Sequence, residues 1–236
     1  MFDNLWISFC FTLAAALAWL RINNFFVHRG WINSRSSRKI IHIGTGPIFV
    51  LCWLLFPEHP AARFLAAIIP LAITIQFALI GTGIINDPDS VQAMSRSGER
   101  SEILKGPLLY GIVFVIVTLI FWKENLTGIV ALMVLCGGDG MADLIGTKFQ
   151  GAKIPWSINK TVIGSLGMLI CGWLLAVAVS AVFVQAGLFI EHFPDYFFSI
   201  FLISLAGTFV ETLPFRDIDN LTVTAAALLC GLALKI

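Results

Sequence analysis

Eight apolar runs follow one another along this chain, at roughly 4–20, 40–56, 64–80, 107–122, 126–145, 161–184, 197–213 and 220–235. Most are close to the ~20 residues that a helix needs to cross a bilayer. Inside lipid the backbone must satisfy its own polar groups, so such runs are held as helices. Hydrophobic residues make up 58% of the 236, and charged residues only 12%, where a soluble domain carries about 25%. The mean hydropathy is +0.90. No polar stretch is long enough to fold as a separate soluble domain. The expectation is an all-α, polytopic integral membrane helix bundle of about eight spans, with residues 1–236 as one domain. The first, second and last runs are short. The first begins Met1-Phe2-Asp3-Asn4, without the positive charge of a secretory signal, and is read as a retained span.

Charge placement gives an orientation. Arg21, Arg29, Arg35, Arg38 and Lys39 follow run one. Arg96, Arg100 and Lys105 follow run three, Lys148, Lys153 and Lys160 follow run five, and Arg216 follows run seven. Alternate loops thus hold twelve of the fifteen basic residues. Under the positive-inside rule these loops are cytoplasmic and both termini are non-cytoplasmic. The opposite loops are short and bland, and the span centres are almost free of charge. That pattern suits an enzyme joining a cytoplasmic reagent to a lipid-dissolved partner better than a transporter, which needs polar groups near the midplane.

Asp139 and Asp143 break the pattern of apolar spans most sharply. The apolar part of Leu126–Asp143 is too short to cross alone, so a crossing helix must run on through both carboxylates. A charge at the middle of a membrane helix costs roughly 3 kcal/mol even on the lenient insertion scale. Four residues apart, the two share a helical face, as a divalent-cation site would require. Gly137 and Gly138 before them let a backbone approach a ligand closely. Lys148, Lys153 and Lys160 supply compact charge for a polyphosphate. Thr161, Gly164 and Ser165 open the next helix, whose N–H groups and dipole favour an anion. Oxygen ligands and phosphates are what Mg²⁺ prefers. Together these residues suggest a metal–triphosphate site, with a lysine-neutralised aspartate pair as the plainer alternative.

Three further clusters lie on the same expected face. Arg38, Lys39 and His42 stand at the entry to run two, His42 one turn inside it. Arg96 and Lys105 lie in the polar run Ser95–Pro107, which also reads as a solvated linker with local ion pairs. Glu211, Asp219 and Asn220 lie at the junction of runs seven and eight, where Asp217, Asp219 or Asn220 could simply cap the last helix. Glu211, inside the end of run seven, is harder to explain as a cap.

Other nucleotide signatures are absent. There is no P-loop and no His-Arg-Asp or Asp-Phe-Gly set. The five cysteines are scattered through apolar runs, which argues against zinc or a disulfide framework. No basic–aromatic pattern indicates nucleic acid.

Arg38-Lys39-x-x-His42, Ser95-Arg96-Ser97-Gly98, Leu104-Lys105-Gly106-Pro107-Leu108 and Gly138-Asp139-Gly140-Met141-Ala142-Asp143-x-x-Gly146 occur in that order. Lys153-Ile154-Pro155, Asn159-Lys160-Thr161, Gly164-Ser165, Val210-Glu211-Thr212-Leu213-Pro214 and Asp217 to Val223 follow. Jointly, from Arg38 to the end of the chain, they resemble the phytol/farnesol kinase branch of the polyprenol kinase family. Dolichol kinase and the CTP-dependent diacylglycerol kinase are its relatives, and CDP-diacylglycerol synthase is a more distant one. The resemblance implies one membrane-embedded kinase domain that phosphorylates a long-chain alcohol, with CTP as donor and Mg²⁺ as cofactor. In the family a basic residue often follows the glycine directly, whereas Lys148 stands one position late.

The expected division of labour follows. Asp139 and Asp143 hold metal. Lys153, Lys160, Thr161, Gly164 and Ser165 receive the phosphate chain. Arg38, Lys39, Arg96, Lys105, Lys148, Asp219 and Asn220 are further nucleotide-side candidates. Asp139, Glu211 and His42 are alternatives for the base that takes the hydroxyl proton. The expected partners are a nucleoside triphosphate, a lipid alcohol dissolved in the membrane and the bilayer itself, in a bacterial cell membrane. A cytidylyltransferase acting on phosphatidate, or an ion-coupled carrier, are the other readings of the same carboxylates.

Overall fold

The structure is a computed structural model that describes residues 3–95, 97–149, 151–157, 160–189, 193–215 and 218–236. Among these it is helical throughout, with one isolated β-bridge and no extended strand. Ten α-helices are described: α1 (Leu5–His28), α2 (Ser34–Leu51), α3 (Ala62–Thr82), α4 (Pro88–Met94), α5 (Gly106–Ile120), α6 (Leu126–Met133), α7 (Gly140–Phe149), α8 (Val162–Gln185), α9 (Phe193–Glu211) and α10 (Asp219–Leu234). Short 3₁₀ turns occupy Cys52–Leu55 and Arg100–Leu104, and a π-helical turn occupies Val134–Asp139.

Among the described residues seven helical segments are long and apolar enough to cross a membrane: Leu5–His28, Ser36–Leu55, Ala62–Thr82, Arg100–Ile120, Leu126–Phe149, Val162–Gln185 and Phe193–Glu211. The chain is a multi-pass, all-α membrane protein. The eighth apolar run is α10, whose sixteen residues rise about 24 Å, short of a hydrocarbon core of about 30 Å.

Two boundaries differ from the sequence expectation. The first helix does not stop near residue 20 but runs to His28, which puts Arg21 inside it. Nothing in Arg21–His28 breaks a helix; the chain turns only at Gly30, in the left-handed region at φ 71°. The second helix starts at Ser34, with the Asn33 side chain accepting from the Ser36 N–H at 2.8 Å. Arg38 and Lys39 are therefore helical residues, and His42 lies two turns in rather than one.

The chain divides into two compact units, Met1–Ile120 and Phe121–Ile236. In the first, a buried cluster of Ile41, Phe77, Ile80, Ala93, Met94 and Ile103 joins α2, α3, α4 and the 3₁₀ turn at Arg100–Leu104. The long polar connection after α3 is thus folded. Asp87 caps α4, accepting from the Ser90 N–H at 3.0 Å. Gly98, at φ 86°, donates its N–H to Ser95 Oγ at 3.0 Å, and Ser97 donates its N–H to Glu102 Oε2 at 3.1 Å.

In the second unit α6, the π turn and α7 form one continuous segment, far more enclosed than any other span. Every residue from Leu126 to Gly138 is buried, as befits a helix that is apolar all round. It is packed by α8, α9 and α10. The glycines explain how closely α8 approaches. A Cβ on Gly172 would come within 3.3 Å of Gly138 Cα, and one on Gly164 within 2.9 Å of the Ala142 carbonyl oxygen. Small residues that let two helix backbones meet are the usual basis of tight crossings in membranes.

Candidate active site

Lys160, Glu211 and Asp219 of the second unit form one ionisable cluster, and the Asp139 charge acts on it. Asp139 closes the π turn, and Asp143 lies in the first turn of α7; both are half-buried. π turns inside α-helices are rare and mark functional sites disproportionately.

A 151–161 connection follows α7. Lys153 and Thr161 form an antiparallel bridge. Ile154 donates its N–H to the Lys160 carbonyl at 3.0 Å, and Val162 donates to the Ala152 carbonyl at 2.9 Å. Thr161 then caps α8, its hydroxyl accepting from the Gly164 N–H at 3.2 Å. This register sets exposed Lys153 beside the start of α8. One residue further in, Ser165 Oγ is buried without a hydrogen-bond partner among the described residues.

Lys160 is drawn inward instead. Its ammonium lies 2.9 Å from Glu211 Oε1 and 3.2 Å from Asp219 Oδ2, and it donates to the Glu211 carbonyl. Burial pulls the ammonium toward neutrality, but the Glu211 and Asp219 carboxylates outweigh this, so its pKa stands above the ordinary lysine value. The charges of Asp139 and Asp219 also act on Glu211. One lysine thus ties the 151–161 connection to the end of α9 and the start of α10. Trp156 adds a second tie, donating its indole N–H to Thr212 Oγ1 at 3.2 Å.

Several expected residues stand elsewhere. Lys160, expected as a phosphate ligand, is engaged by carboxylates, because Glu211 and Asp219 compensate the charge of its partly buried ammonium. The paired glycines of 137–138 face α8 and serve helix packing: a Cβ on Gly137 would come within 3.1 Å of the Cys171 carbonyl. Lys148, at the end of α7, sits over the Phe149 ring at 5.5 Å. Ile218 takes the N-cap position of α10, with no side-chain cap, so Asp219 is its first helical residue and Asn220 is buried just behind it.

Arg38, Lys39, His42 and Lys105 belong to the first unit. Lys39 is buried, and exposed Lys105 follows the 3₁₀ turn. The His42 ring lies 4.4 Å from that of Tyr110, whose hydroxyl donates to the His42 carbonyl at 2.8 Å. Arg96, Asn159 and Asp217 lie outside the described residues.

Among the described residues no three His, Cys, Asp or Glu side chains are grouped closely enough to enclose a metal ion. Mg²⁺ does not need such a cage, since it is commonly held by one or two carboxylates plus substrate phosphates. Asp139 and Asp143, half-buried and hard in donor chemistry, fit that mode. They do not fit a structural zinc site, which takes four nitrogen or sulfur ligands.

Fold and site together define a multi-pass helical membrane protein with an ionisable cluster at the ends of its spans. No family model and no solved structure matches the chain. Curated relatives do. The chain is 34% identical over 205 residues to phytol kinase 1, chloroplastic, of Arabidopsis thaliana, covering 86% of this chain and 67% of that protein. It is 36% identical over 208 residues to the farnesol kinase, chloroplastic, of Arabidopsis thaliana, covering 87% and 67%. It is 38% identical over 218 residues to a probable phytol kinase 3, chloroplastic, of Glycine max, covering 92% and 68%. The chain belongs to the polyprenol kinase family, in its phytol/farnesol kinase branch, and is an alcohol phosphotransferase. These relatives are chloroplastic plant proteins, which gives the expectation of a bacterial membrane no support.

Proposed function

We propose that this chain, acting as one kinase domain over residues 1–236, transfers the γ-phosphoryl group of CTP to the hydroxyl of a long-chain isoprenoid alcohol of the phytol/farnesol class. We further propose that it requires Mg²⁺ and works at the cytoplasmic face, with both termini on the other side. The observation that carries this reading is the cluster of Lys160 with Glu211 and Asp219, with the Asp139 charge acting on Glu211, in a chain 30–38% identical to proteins named phytol and farnesol kinase.

The alcohol oxygen attacks the γ-phosphorus, the bond from that phosphorus to the β–γ bridging oxygen breaks, and CDP leaves. The hydroxyl proton passes to a carboxylate, Asp139 or Glu211. Such transfers depend mostly on positioning and on stabilising charge. Asp139 and Asp143 are the residues that would hold Mg²⁺, which when bound neutralises charge on the phosphate oxygens. Lys153, Ser165 and the N–H groups at the start of α8 receive the phosphate chain. Lys160 holds Glu211 and Asp219 in place. The isoprenoid tail stays in lipid among the spans.

The test is labelled CTP with a panel of isoprenoid alcohols and purified protein in lipid. Label from the γ position appearing in lipid phosphate is the expected result. Label arriving only from the α position would mean a cytidylyltransferase, and no transfer with any alcohol would overturn the reading.

A further inference from the structure

The 151–161 connection is a hairpin too small to hold itself. Among the described residues two backbone bonds join its arms, Ile154 to Lys160 and Val162 to Ala152, and a third, from the Ser157 N–H to the Ile154 carbonyl at 3.0 Å, makes a tight turn within the outgoing arm. An isolated two-stranded hairpin is marginal at best in water. Its shape must come from anchors outside it.

The returning arm is anchored by Lys160, through Glu211 and Asp219. The outgoing arm carries Lys153, whose side chain is exposed; after it Ile154 is buried, and Trp156 supplies the arm's polar tie. The indole is 56% exposed, so burial does not hold it. What fixes it is its N–H, donated to Thr212 Oγ1 at 3.2 Å. Thr212 is itself buried, and its hydroxyl donates to the Phe209 carbonyl at 2.7 Å. With its proton committed inward, that oxygen presents a lone pair to the indole. Thr212 also follows Glu211 directly, so both anchors land on consecutive residues at the end of α9.

We propose that Trp156 is a positioning residue for nucleotide binding: its bond to Thr212 sets the outgoing arm, and thereby the register that places Lys153 beside the N-terminus of α8. This rests on the proposed role of Lys153 as a phosphate contact. Trp156 touches no reacting atom; it acts through Lys153.

The experiment uses the full chain in lipid nanodiscs and the variants Trp156→Phe, Thr212→Val, Lys153→Ala and Trp156→Phe/Lys153→Ala. Phenylalanine keeps an aromatic ring at this largely exposed site and removes the donor. One neutral hydrogen bond corresponds to about a three- to tenfold change. Trp156→Phe and Thr212→Val should each raise KM for CTP by about that factor, with kcat and Tm near wild type. In the Lys153→Ala background Trp156→Phe should add nothing further, because the residue it positions is gone. Independently of activity, amide exchange in a 152–162 peptide should quicken in Trp156→Phe and Thr212→Val but not in Lys153→Ala.

Additive effects of Trp156→Phe and Lys153→Ala, a loss of kcat or Tm without a change in KM, or unchanged exchange would each overturn the inference. If Lys153→Ala alone leaves KM unchanged while exchange still responds to Trp156→Phe, then the phosphate role of Lys153 is the part that has failed, and the positioning role falls with it.

Discussion

The Lys160 ammonium lies 2.9 Å from Glu211 Oε1, and the Glu211 side chain is only 7% exposed. A carboxylate this enclosed needs its counter-charge. Removing one partner of a buried pair leaves the other charge uncompensated, at a cost on the order of 3 kcal/mol. Lys160→Met should therefore lower Tm markedly in detergent. Adding Glu211→Gln to it should recover part of that loss, because the orphaned charge is then gone. Equal loss in the single and double variants would show that the pair does not act as a pair.

The same contact gives alkaline sensitivity a definite sign. The folded-state pKa of Lys160 is above its unfolded value, so its stabilisation is fully present below the unfolded lysine value of about 10.4. It is lost as pH rises through the higher folded value. The Tm difference between wild type and Lys160→Met should hold constant from neutral to mildly alkaline pH and narrow only above the ordinary lysine range. A difference that stays constant through and above that range would contradict the pairing.

Much of this arrangement was legible in the sequence, for reasons that differ by residue. The spans were readable because burial in lipid demands long apolar runs, and the one that carries charge, Leu126–Phe149, stood out for that reason. Glu211 was conspicuous because a cap could not account for it. What sequence could not supply was pairing: Lys160 and Glu211 are far apart along the chain, and a lysine after a glycine-rich helix suits a phosphate as well as a carboxylate. Gly137 and Gly138 were ambiguous in the same way, since absence of a side chain permits either a ligand or another helix to approach. Trp156 carried no signal at all, because an exposed tryptophan near a membrane is ordinary. The end of α1 was misjudged because charge at Arg21 resembles a loop, whereas only Gly30 supplies a backbone turn.

Asp143→Asn tests the metal reading. Asparagine keeps the size of the side chain and removes its charge. Loss of a preorganised charged contact lowers turnover by about two to three powers of ten, and the variant should insert and purify normally. Chelation of divalent cations should reduce the wild type to the same level, and added Mg²⁺ should restore the wild type but not the variant. A thermal shift with CTP and Mg²⁺, expected for wild type because a ligand of the folded state raises its stability, should shrink in Asp143→Asn. Near-wild-type turnover in Asp143→Asn would remove the carboxylate from the site.

Gly164→Ala tests whether the glycines hold the site together through helix packing. A methyl there would meet the Ala142 carbonyl oxygen at 2.9 Å and Thr161 Oγ1 at 3.0 Å. The first is backbone and cannot rotate away, so α8 must shift from α7. Overpacking of this kind costs about 1–3 kcal/mol. The shift also displaces the α8 N-terminus, where Thr161 accepts from the Gly164 N–H. Activity should therefore fall together with Tm. Gly106→Ala is the matched control: beyond its chain neighbours and its own helix backbone no atom lies within 4 Å of its added methyl, and its backbone is not in the left-handed region. The helical gain of alanine over glycine is offset here by the following Pro107, which disfavours a side chain in the helical region just before it, so this variant should hold its Tm. If Gly164→Ala behaves like Gly106→Ala in both stability and turnover, close approach of α7 and α8 is not what the glycines are for, and direct contact with a ligand becomes the reason to test.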